Sequence, residues 1–393
     1  MSSIKIFYQN KKYFASAFLY TCFSLIFSTW VTYIPHISEK LEINEGKIGN
    51  AIFFSALGAF FMIRICRHLI DKVGVGRYAY FALISYCICF FGPFLAYNYI
   101  SLCVSLFIFG MAGSSFAISL NSLTATIEKQ DKLYVMSGSH GFWSIGGMIG
   151  AATGSFIAAL VHNPILHISI LVLAILIVET RLKSQYYFRR GEHLDVVKKN
   201  RSAHIKPLFL IALIGLVIMV SEGAIADWSA LYLKKVIQID IKYIGLGYAA
   251  FACAMMIGRF SGDSLSRKLG SWKLITVAII IGMAGFVLVL IYNPLVSILG
   301  FFVIGLGFSV VVPEVYRLAS NVEGIKTADA VSFVAATTNI GFMLGPVILG
   351  YIAELRTLHL SFMVLTAFVS IALFIAFWKL RNAKSGLQFF VSQ

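Results

Sequence analysis

The chain is dominated by long apolar runs separated by short polar segments. Most of these runs are near 20 residues, the length at which an α-helix crosses the hydrocarbon core of a bilayer. We place twelve of them, at roughly 14–36, 48–70, 78–97, 100–126, 137–161, 165–180, 207–233, 244–265, 273–292, 294–318, 328–353 and 358–379. None has the alternating pattern of a membrane β-barrel. The sequence therefore predicts an all-α polytopic membrane protein with twelve transmembrane helices.

Composition excludes a water-soluble domain. Of 393 residues, 59% are hydrophobic and 12% are charged, and the mean hydropathy is +0.86. Soluble domains are about half apolar and a quarter charged. The first apolar run follows Lys5, Lys11 and Lys12, as a signal peptide would. It is too long for one, and no small-residue cleavage site follows, so we keep it as the first helix.

The basic residues predict the orientation of the chain in the membrane. With the N-terminus on the cytoplasmic side, 26 of the 32 Lys and Arg residues fall in cytoplasmic segments. This asymmetry follows the positive-inside rule and puts both termini in the cytoplasm. The net charge of +15 is then a topology signal. No basic face on a soluble domain is present in the sequence pattern, so we expect no nucleic-acid partner.

The longest polar segment, 181–206, is basic and divides the chain into two halves. We predict an N-terminal six-helix bundle at 1–180, a cytoplasmic linker at 181–206, and a C-terminal six-helix bundle with a short cytoplasmic tail at 207–393. The linker's positive charge suits contact with anionic lipid headgroups.

An internal repeat relates the two halves. The segment "IGGMIG" at 145–150 matches "IGFMLG" at 340–345, an offset of 195. Further matches lie at offsets of 195 to 198: Arg64 with Arg259, Glu128 with Glu323, 71–74 with 267–270, and Trp30 with Trp228. Six helices separate the copies, so we predict two parallel six-helix repeats.

The repeat, the basic central loop and a charged glycine turn after the second and eighth helices resemble the major facilitator superfamily. In "RHLIDKVGVGR", 67–77, Asp71, Lys72, Gly74 and Arg77 match the superfamily's signature, whereas Arg67 replaces its leading glycine. Within the superfamily, "GSHGFWSIGGMIGA", "EGAIADWSALYL" and "GRFSGDSLSRKLG" are most similar to the fucose-permease-related branch and its YbjJ-type members.

Three ionisable residues within apolar runs are candidates for proton coupling. Glu222 lies in the middle of the seventh helix, with Asp227 one and a half turns further on, and His140 lies in the fifth helix. Charges in the bilayer core are costly and usually functional. A carboxyl or imidazole that gains and loses a proton would couple transport to a proton gradient. The alternative is a permanently neutral or hydrogen-bonded packing residue.

Aromatic and amide side chains are candidates for a substrate cavity. The resemblance implies that the first and seventh helices face each other across the cavity mouth, where aromatic rings can stack on a sugar or close a gate. These candidates are Trp30, Tyr33, Asn121, Trp143 and Trp228. The alternative role for the aromatic residues is a belt at the membrane interface. The alternative role for Asn121 is a hydrogen bond between helices.

Charged helix ends are candidates for a cytoplasmic gate. We expect two symmetric ion pairs, Arg64 with Glu128 and Arg259 with Glu323, beside the signature residues Asp71 and Arg77. Solvated charge is the alternative. Glu314 and Arg317, three residues apart, are placed to pair locally.

These features predict a proton-coupled symporter of the bacterial inner membrane that moves a small polar solute, sugar-like or an organic metabolite, by alternating access. Efflux by proton antiport and a transporter-like receptor are the alternatives. The sequence has no Walker loop, catalytic triad or metal-ligand spacing, so we expect no enzyme activity, cofactor or metal. We expect a monomer whose partners are the solute, the proton and membrane lipids.

Overall fold

Helices make up the regular structure of the protein. The computed structural model describes residues 3–132, 135–161, 163–190, 206–322, 325 and 327–390. Across those ranges no strand occurs. The α-helices are α1 (Ser3–Gln9), α2 (Lys11–Lys40), α3 (Glu45–Val73), α4 (Val75–Cys89), α5 (Gly92–Leu95), α6 (Tyr99–Asp131), α7 (Met136–Leu160), α8 (Pro164–Leu182), α9 (Lys206–Lys235), α10 (Leu246–Leu269), α11 (Ser271–Val289), α12 (Pro294–Phe308), α13 (Val311–Ser320), α14 (Thr327–Leu355) and α15 (Leu358–Phe390).

The number of membrane spans agrees with the sequence prediction. Within the described residues, twelve helical stretches are long and apolar enough to cross a membrane. The third consists of α4 and α5, and the tenth consists of α12 and α13, which meet at Ser309 and Val310. The sixth and eighth spans each add a short 3₁₀-helix, Lys183–Gln185 after α8 and Ile241–Tyr243 before α10, and each remaining span is a single α-helix. The prediction of twelve transmembrane helices is confirmed.

Asparagine side chains define where several of these helices begin. The first backbone N–H groups of a helix have no partner within it and need an acceptor. Asn10, Asn44, Asn98, Asn163 and Asn293 each accept a hydrogen bond from a backbone N–H of the helix that follows. Such caps stabilise a helix by about 1 kcal/mol, so the polar residues between apolar runs also fix the helix boundaries.

The chain divides into two compact units. The first contains Met1–Asp195 and Ile239–Ala249, and the second contains Val196–Gln238 and Ala250–Gln393. The division at the middle of the chain resembles the expected one, but the first unit also takes a segment from beyond α9. There, the Ser155 hydroxyl donates to the Lys242 carbonyl over 2.9 Å. Residues 191–205 of the linker predicted at 181–206 lie outside the described residues.

Glycines bring the same pairs of helices together in both units. A Cβ at Gly146 of α7 would lie 2.3 Å from the Thr21 carbonyl oxygen of α2. A Cβ at Gly341 of α14 would lie 2.6 Å from the Leu216 carbonyl oxygen of α9. Both residues of the first contact match those of the second at an offset of 195. Small residues allow such close backbone approach between membrane helices.

A second glycine contact repeats at nearly the same offset. A Cβ at Gly110 of α6 would lie 1.9 Å from the Ser55 carbonyl oxygen of α3. A Cβ at Gly305 of α12 would lie 2.3 Å from the Phe251 carbonyl oxygen of α10. Thus the repeat seen in the sequence is also a repeat of helix packing within each unit.

One predicted pair of equivalent residues is wrong. Helices α2 and α9 are both 30 residues long and begin 195 positions apart. The glycine contacts show the same offset of 195 where α2 packs against α7 and where α9 packs against α14. Trp30 therefore corresponds to Ile225, and Tyr33 corresponds to Trp228. The expected match of Trp30 with Trp228 needed a shift of three residues that neither helix contains.

We predict that Gly110→Ala will lower the stability of the protein by about 1–3 kcal/mol, the usual cost of overpacking a close contact. The added methyl group would meet backbone atoms, which cannot rotate away. The apparent melting temperature of the purified protein in detergent measures this effect. Gly154→Ala is the matched control, because its Cβ would lie 3.3 Å from the Thr32 hydroxyl oxygen. Equal melting temperatures for the two variants would contradict the packing argument.

Candidate functional site

Two carboxylic acids lie within the membrane span formed by α9. Glu222 is near the midpoint of the helix and is half-buried, whereas the Asp227 side chain is buried, with 4% of its surface exposed. At 100° per residue, their side chains point about 140° apart. The guanidinium of Arg259 on α10 interacts electrostatically with Glu222. The two acids therefore have different surroundings, and Glu222 is the one that interacts electrostatically with a cation.

Asp227 and Trp228 are polar residues in a closely packed environment. Within the part of the chain that the structure describes, the Asp227 carboxyl has neither a hydrogen bond nor an ion pair. The Trp228 side chain is fully buried, and its indole N–H has no acceptor among the described residues. Most buried polar groups in proteins are hydrogen-bonded, and exceptions call for an explanation.

In the first unit, helices α2, α6 and α7 bring three predicted site residues together. The Tyr20 hydroxyl donates to the Asn121 side-chain oxygen over 2.7 Å. The Tyr20 ring meets the edge of the His140 ring, with 5.2 Å between their centres. The Phe23 ring is 4.4 Å from the Trp143 ring. Asn121 and His140 are exposed and Trp143 is half-buried, so this group, the α2/α6/α7 cluster, presents aromatic rings and polar groups together.

The α2 side of this cluster was not singled out from the sequence. Phe27 adds a third ring, stacked 6.4 Å from Trp143. Tyr20, Phe23 and Phe27 follow one another at spacings of three and four, which puts them on one face of α2. That spacing was the available signal, but in an apolar helix it does not distinguish a cavity wall from ordinary packing.

Equivalent positions of α2 and α9 carry side chains of different chemical types. At the offset of 195, Phe27 of α2 corresponds to Glu222 of α9, and Thr32 corresponds to Asp227. The two acids therefore have no carboxylate counterpart in the first unit. The repeat accounts for the helix packing, but the ionisable groups are specific to the second unit.

The predicted cavity residues Trp30 and Tyr33 lie inside the first unit. Trp30 packs against the edge of Phe94 with 6.2 Å between ring centres. The Tyr33 hydroxyl forms a 2.9 Å hydrogen bond with His167 Nδ1. Both side chains are buried within the unit, and these contacts give them a packing role there. Their place in a substrate cavity stays a prediction.

A comparable tyrosine–histidine pair occurs in the second unit. The Tyr232 hydroxyl is 3.0 Å from His359 Nδ1. In each unit the tyrosine belongs to the first spanning helix and the histidine to the first turn of the last one. The two pairs do not share the register of the repeat, because Tyr232 lies four residues beyond Trp228, the residue that corresponds to Tyr33. They nevertheless connect the same helices, those that begin and end each bundle.

The expected ion pair between Arg64 and Glu128 is wrong. Glu128 Oε1 instead accepts the backbone N–H groups of Val135 and Met136, over 2.6 and 2.7 Å. It thereby caps the start of α7, where unpaired N–H groups and the helix dipole attract a carboxylate. Arg64 is exposed, and its guanidinium lies 6.0 Å from the centre of the Phe60 ring.

The remaining gate residues have mixed outcomes. Glu323 lies outside the described residues, so its pairing with Arg259 stays a prediction. Asp71 and Arg77 are both exposed. The local alternative for the tenth span is confirmed, because Arg317 Nη1 is 2.8 Å from Glu314 Oε1.

The ion pair in α13 contains a buried acid, Glu314, that the sequence pattern did not mark as a candidate site residue. Glu314 has only 2% of its surface exposed, and its second carboxylate oxygen has no partner in the described part of the chain. The Arg317 guanidinium also donates to the Ser266 hydroxyl of α10. The neighbouring Tyr316 hydroxyl is 3.2 Å from the Thr338 hydroxyl. This polar group connects α10, α13 and α14.

The fold and the polar groups within its helices define a class of protein. Twelve apolar spans in two related bundles, with ionisable side chains inside the spans, are characteristic of membrane transporters. Residues 14–325 match the model of the Major Facilitator Superfamily. The chain belongs to that superfamily.

Relatives and solved structures agree with this assignment. An uncharacterized transporter, y4wD, of Sinorhizobium fredii is 29% identical over 90% of this chain and 94% of its own length. The membrane protein MosC of Rhizobium meliloti is 28% identical over 86% and 83%, respectively. The nucleoside transporter NupG, solved in a mutant form, superposes with a TM-score of 0.74 at 12% identity, covering 94% of this chain and 99% of NupG. That similarity shows the fold alone. The protein is therefore a multi-pass membrane transporter of a small-molecule solute.

We predict that Glu128→Ala will destabilise the protein by about 0.5–2 kcal/mol through loss of the α7 cap. Arg64→Ala should leave stability nearly unchanged, and the double variant should match Glu128→Ala, because sites without a shared interaction add independently. Thermal unfolding of the four proteins in one detergent measures this. A double variant more stable than Glu128→Ala would instead support the ion pair between Arg64 and Glu128 that was expected from the sequence.

Proposed function

We propose that the protein is a proton-coupled symporter that takes up a small polar solute by alternating access. It would lie in the bacterial inner membrane as a monomer, with both termini in the cytoplasm. The distribution of Lys and Arg supports this orientation. Within the superfamily, we assign the protein to the fucose-permease-related branch, on the sequence segments described above.

The observation that carries the proposal is the position of Glu222. It is a half-buried carboxyl at the midpoint of a spanning helix, within the electrostatic reach of Arg259. Protonation of Glu222 would remove its negative charge and, with it, the electrostatic attraction to the Arg259 guanidinium. Binding and release of that proton therefore changes the charge inside the second unit, which a proton-driven cycle requires.

The α2/α6/α7 cluster supports a polar solute with a ring. Trp143 and the phenylalanines offer flat apolar faces, and Asn121, His140 and the Tyr20 hydroxyl offer hydrogen bonds. Aromatic rings stack on apolar faces while polar groups fix orientation, the combination found in small-molecule sites. A sugar-like molecule or a cyclic organic metabolite meets both requirements.

We predict that Glu222→Gln will abolish uphill accumulation of the solute and retain exchange of labelled solute across the membrane. The amide keeps the shape of the side chain but cannot cycle a proton. Proteoliposomes with an imposed pH gradient measure accumulation, and preloaded vesicles without a gradient measure exchange. Glu42→Gln is the control, because Glu42 is an exposed carboxylate outside the spans.

Three results would contradict this assignment. Full accumulation by Glu222→Gln would remove this residue from coupling. Uptake of the solute when the vesicle interior is made acidic, with no uptake when the exterior is made acidic, would support antiport instead. Loss of both accumulation and exchange with an unchanged melting temperature would assign Glu222 to solute binding.

We predict that a solute of this class will raise the melting temperature of the wild-type protein and will do so less for Asn121→Ala. A ligand at 100 times its dissociation constant stabilises a protein by about 2.7 kcal/mol. The measurement is a thermal-shift screen with sugars, cyclic metabolites, organic acids and hydrophobic drugs. Ser122→Ala is the matched control on the same helix. Stabilisation only by hydrophobic drugs, unaffected by Asn121→Ala, would contradict the proposed solute.

A further inference from the structure

The beginning of the linker is part of the first unit. After α8, residues Lys183–Arg190 turn back along the end of the bundle, and we call this stretch the return segment. The Tyr186 side chain is buried there, and its hydroxyl donates to Glu179 of α8. The backbone N–H of Gly76, at the start of α4, donates to the Arg189 carbonyl over 3.0 Å.

The sequence of the signature turn allows this contact. A Cβ at position 76 would lie 2.0 Å from the Tyr186 carbonyl oxygen. Only glycine leaves room for the two backbones to approach so closely. The return segment is thus held at three points: Tyr186 on α8, Arg189 on α4, and the Arg189 guanidinium on the side chain of Gln130 at the end of α6.

This packing gathers cations around exposed aromatic rings. The Arg77 guanidinium lies 5.8 Å from the centre of the Tyr187 ring and 5.9 Å from that of Phe188. The Lys183 ammonium lies 5.3 Å from the Tyr80 ring. Phe188 has 75% of its surface exposed. One apolar ring, Phe188, is thus exposed beside a guanidinium group.

Within the described ranges, the cations of this patch outnumber the carboxylates around them. Among the described residues, none of Arg77, Lys183 and Arg190 has an ion-pair partner. Of two carboxylates close by, Glu179 accepts from Tyr186 and interacts electrostatically with Lys183, whereas Asp131 pairs with Lys12. Arg77 and Arg190, both exposed, therefore keep the described surface cationic.

The patch adjoins the ends of two apolar spans. The sixth membrane span ends at Gln185 and the third begins at Val75, so the return segment follows directly on the apolar part of the bundle. Basic side chains at such a boundary attract anionic lipids, and an apolar ring beside them can enter the region of the acyl chains.

We propose that the return segment and the signature turn form a binding site for the headgroup of an anionic phospholipid. Arg77 and Arg190 would hold the phosphate through charge-assisted hydrogen bonds, and Phe188 would contact the glycerol and upper acyl chains. The lipid would then bridge the return segment to the turn between α3 and α4. This site is separate from Glu222 and does not depend on proton coupling.

The test titrates the full-length protein in neutral detergent with dioctanoyl phosphatidylglycerol, and native mass spectrometry counts the bound lipids. Each basic residue near an anionic surface contributes a factor of about five in affinity. Arg77→Gln with Arg190→Gln should therefore weaken the tightest lipid binding by about 25-fold. Arg77→Lys with Arg190→Lys keeps both charges and should retain most of the binding. Phe188→Ala should weaken binding of the lipid at every salt concentration.

The controls separate this site from general attraction to a basic protein. Lys235→Gln with Arg356→Gln removes two exposed charges elsewhere and should leave binding unchanged. Dioctanoyl phosphatidylcholine should bind at least tenfold more weakly, and inorganic phosphate should not compete at equal concentration. Equal losses from the two double glutamine variants would overturn the site. Competition by inorganic phosphate would overturn the lipid in favour of a free anion.

Discussion

The structure depends on close contact between helix backbones at glycine. In a bilayer, lipid tails are as apolar as leucine, so burial of apolar surface does not hold spanning helices together. Dispersion forces between closely packed atoms must do this, and they require backbones to approach. Gly146 against Thr21 and Gly110 against Ser55 show how little space separates α7 from α2 and α6 from α3. The positions of the site residues follow from these contacts.

The two units reuse this packing but not its chemistry. The glycine contacts recur at an offset of 195, and the same offset relates Asn121 of the first unit to Tyr316 of the second. Asn121 accepts from Tyr20, whereas the Tyr316 hydroxyl contacts Thr338. Repeats with the same backbone packing can therefore differ in their side chains. The first unit carries aromatic rings and an amide, and the second carries carboxylates and arginines.

Polar groups in the described spans are satisfied mostly by partners a few residues away or on an adjacent helix. Glu128 caps α7, Glu314 pairs with Arg317, and Tyr33 bonds to His167. An unpaired buried charge costs several kcal/mol, so these local solutions are expected. Against this background, the half-buried Glu222 and the unbonded Asp227 stand out. The return segment follows the same principle outside the membrane core, where Tyr186 and Arg189 fasten the first part of the linker to the first bundle.

The sequence by itself determined the number of spans, the repeat and the superfamily, because span length and composition are set by bilayer thickness and by the cost of burying charge. It also identified Glu222 and Asp227, since a carboxylate in an apolar run is visible without a structure. Tertiary structure decided which partners meet. Glu128 contacts backbone N–H groups of α7 rather than Arg64, because a helix start seven and eight residues away offers unpaired donors, whereas the Arg64 guanidinium is exposed to solvent. The register of α2 against α9 and the rings beside Trp143 also required the fold, because helical spacing shows which residues share a face but not what that face meets.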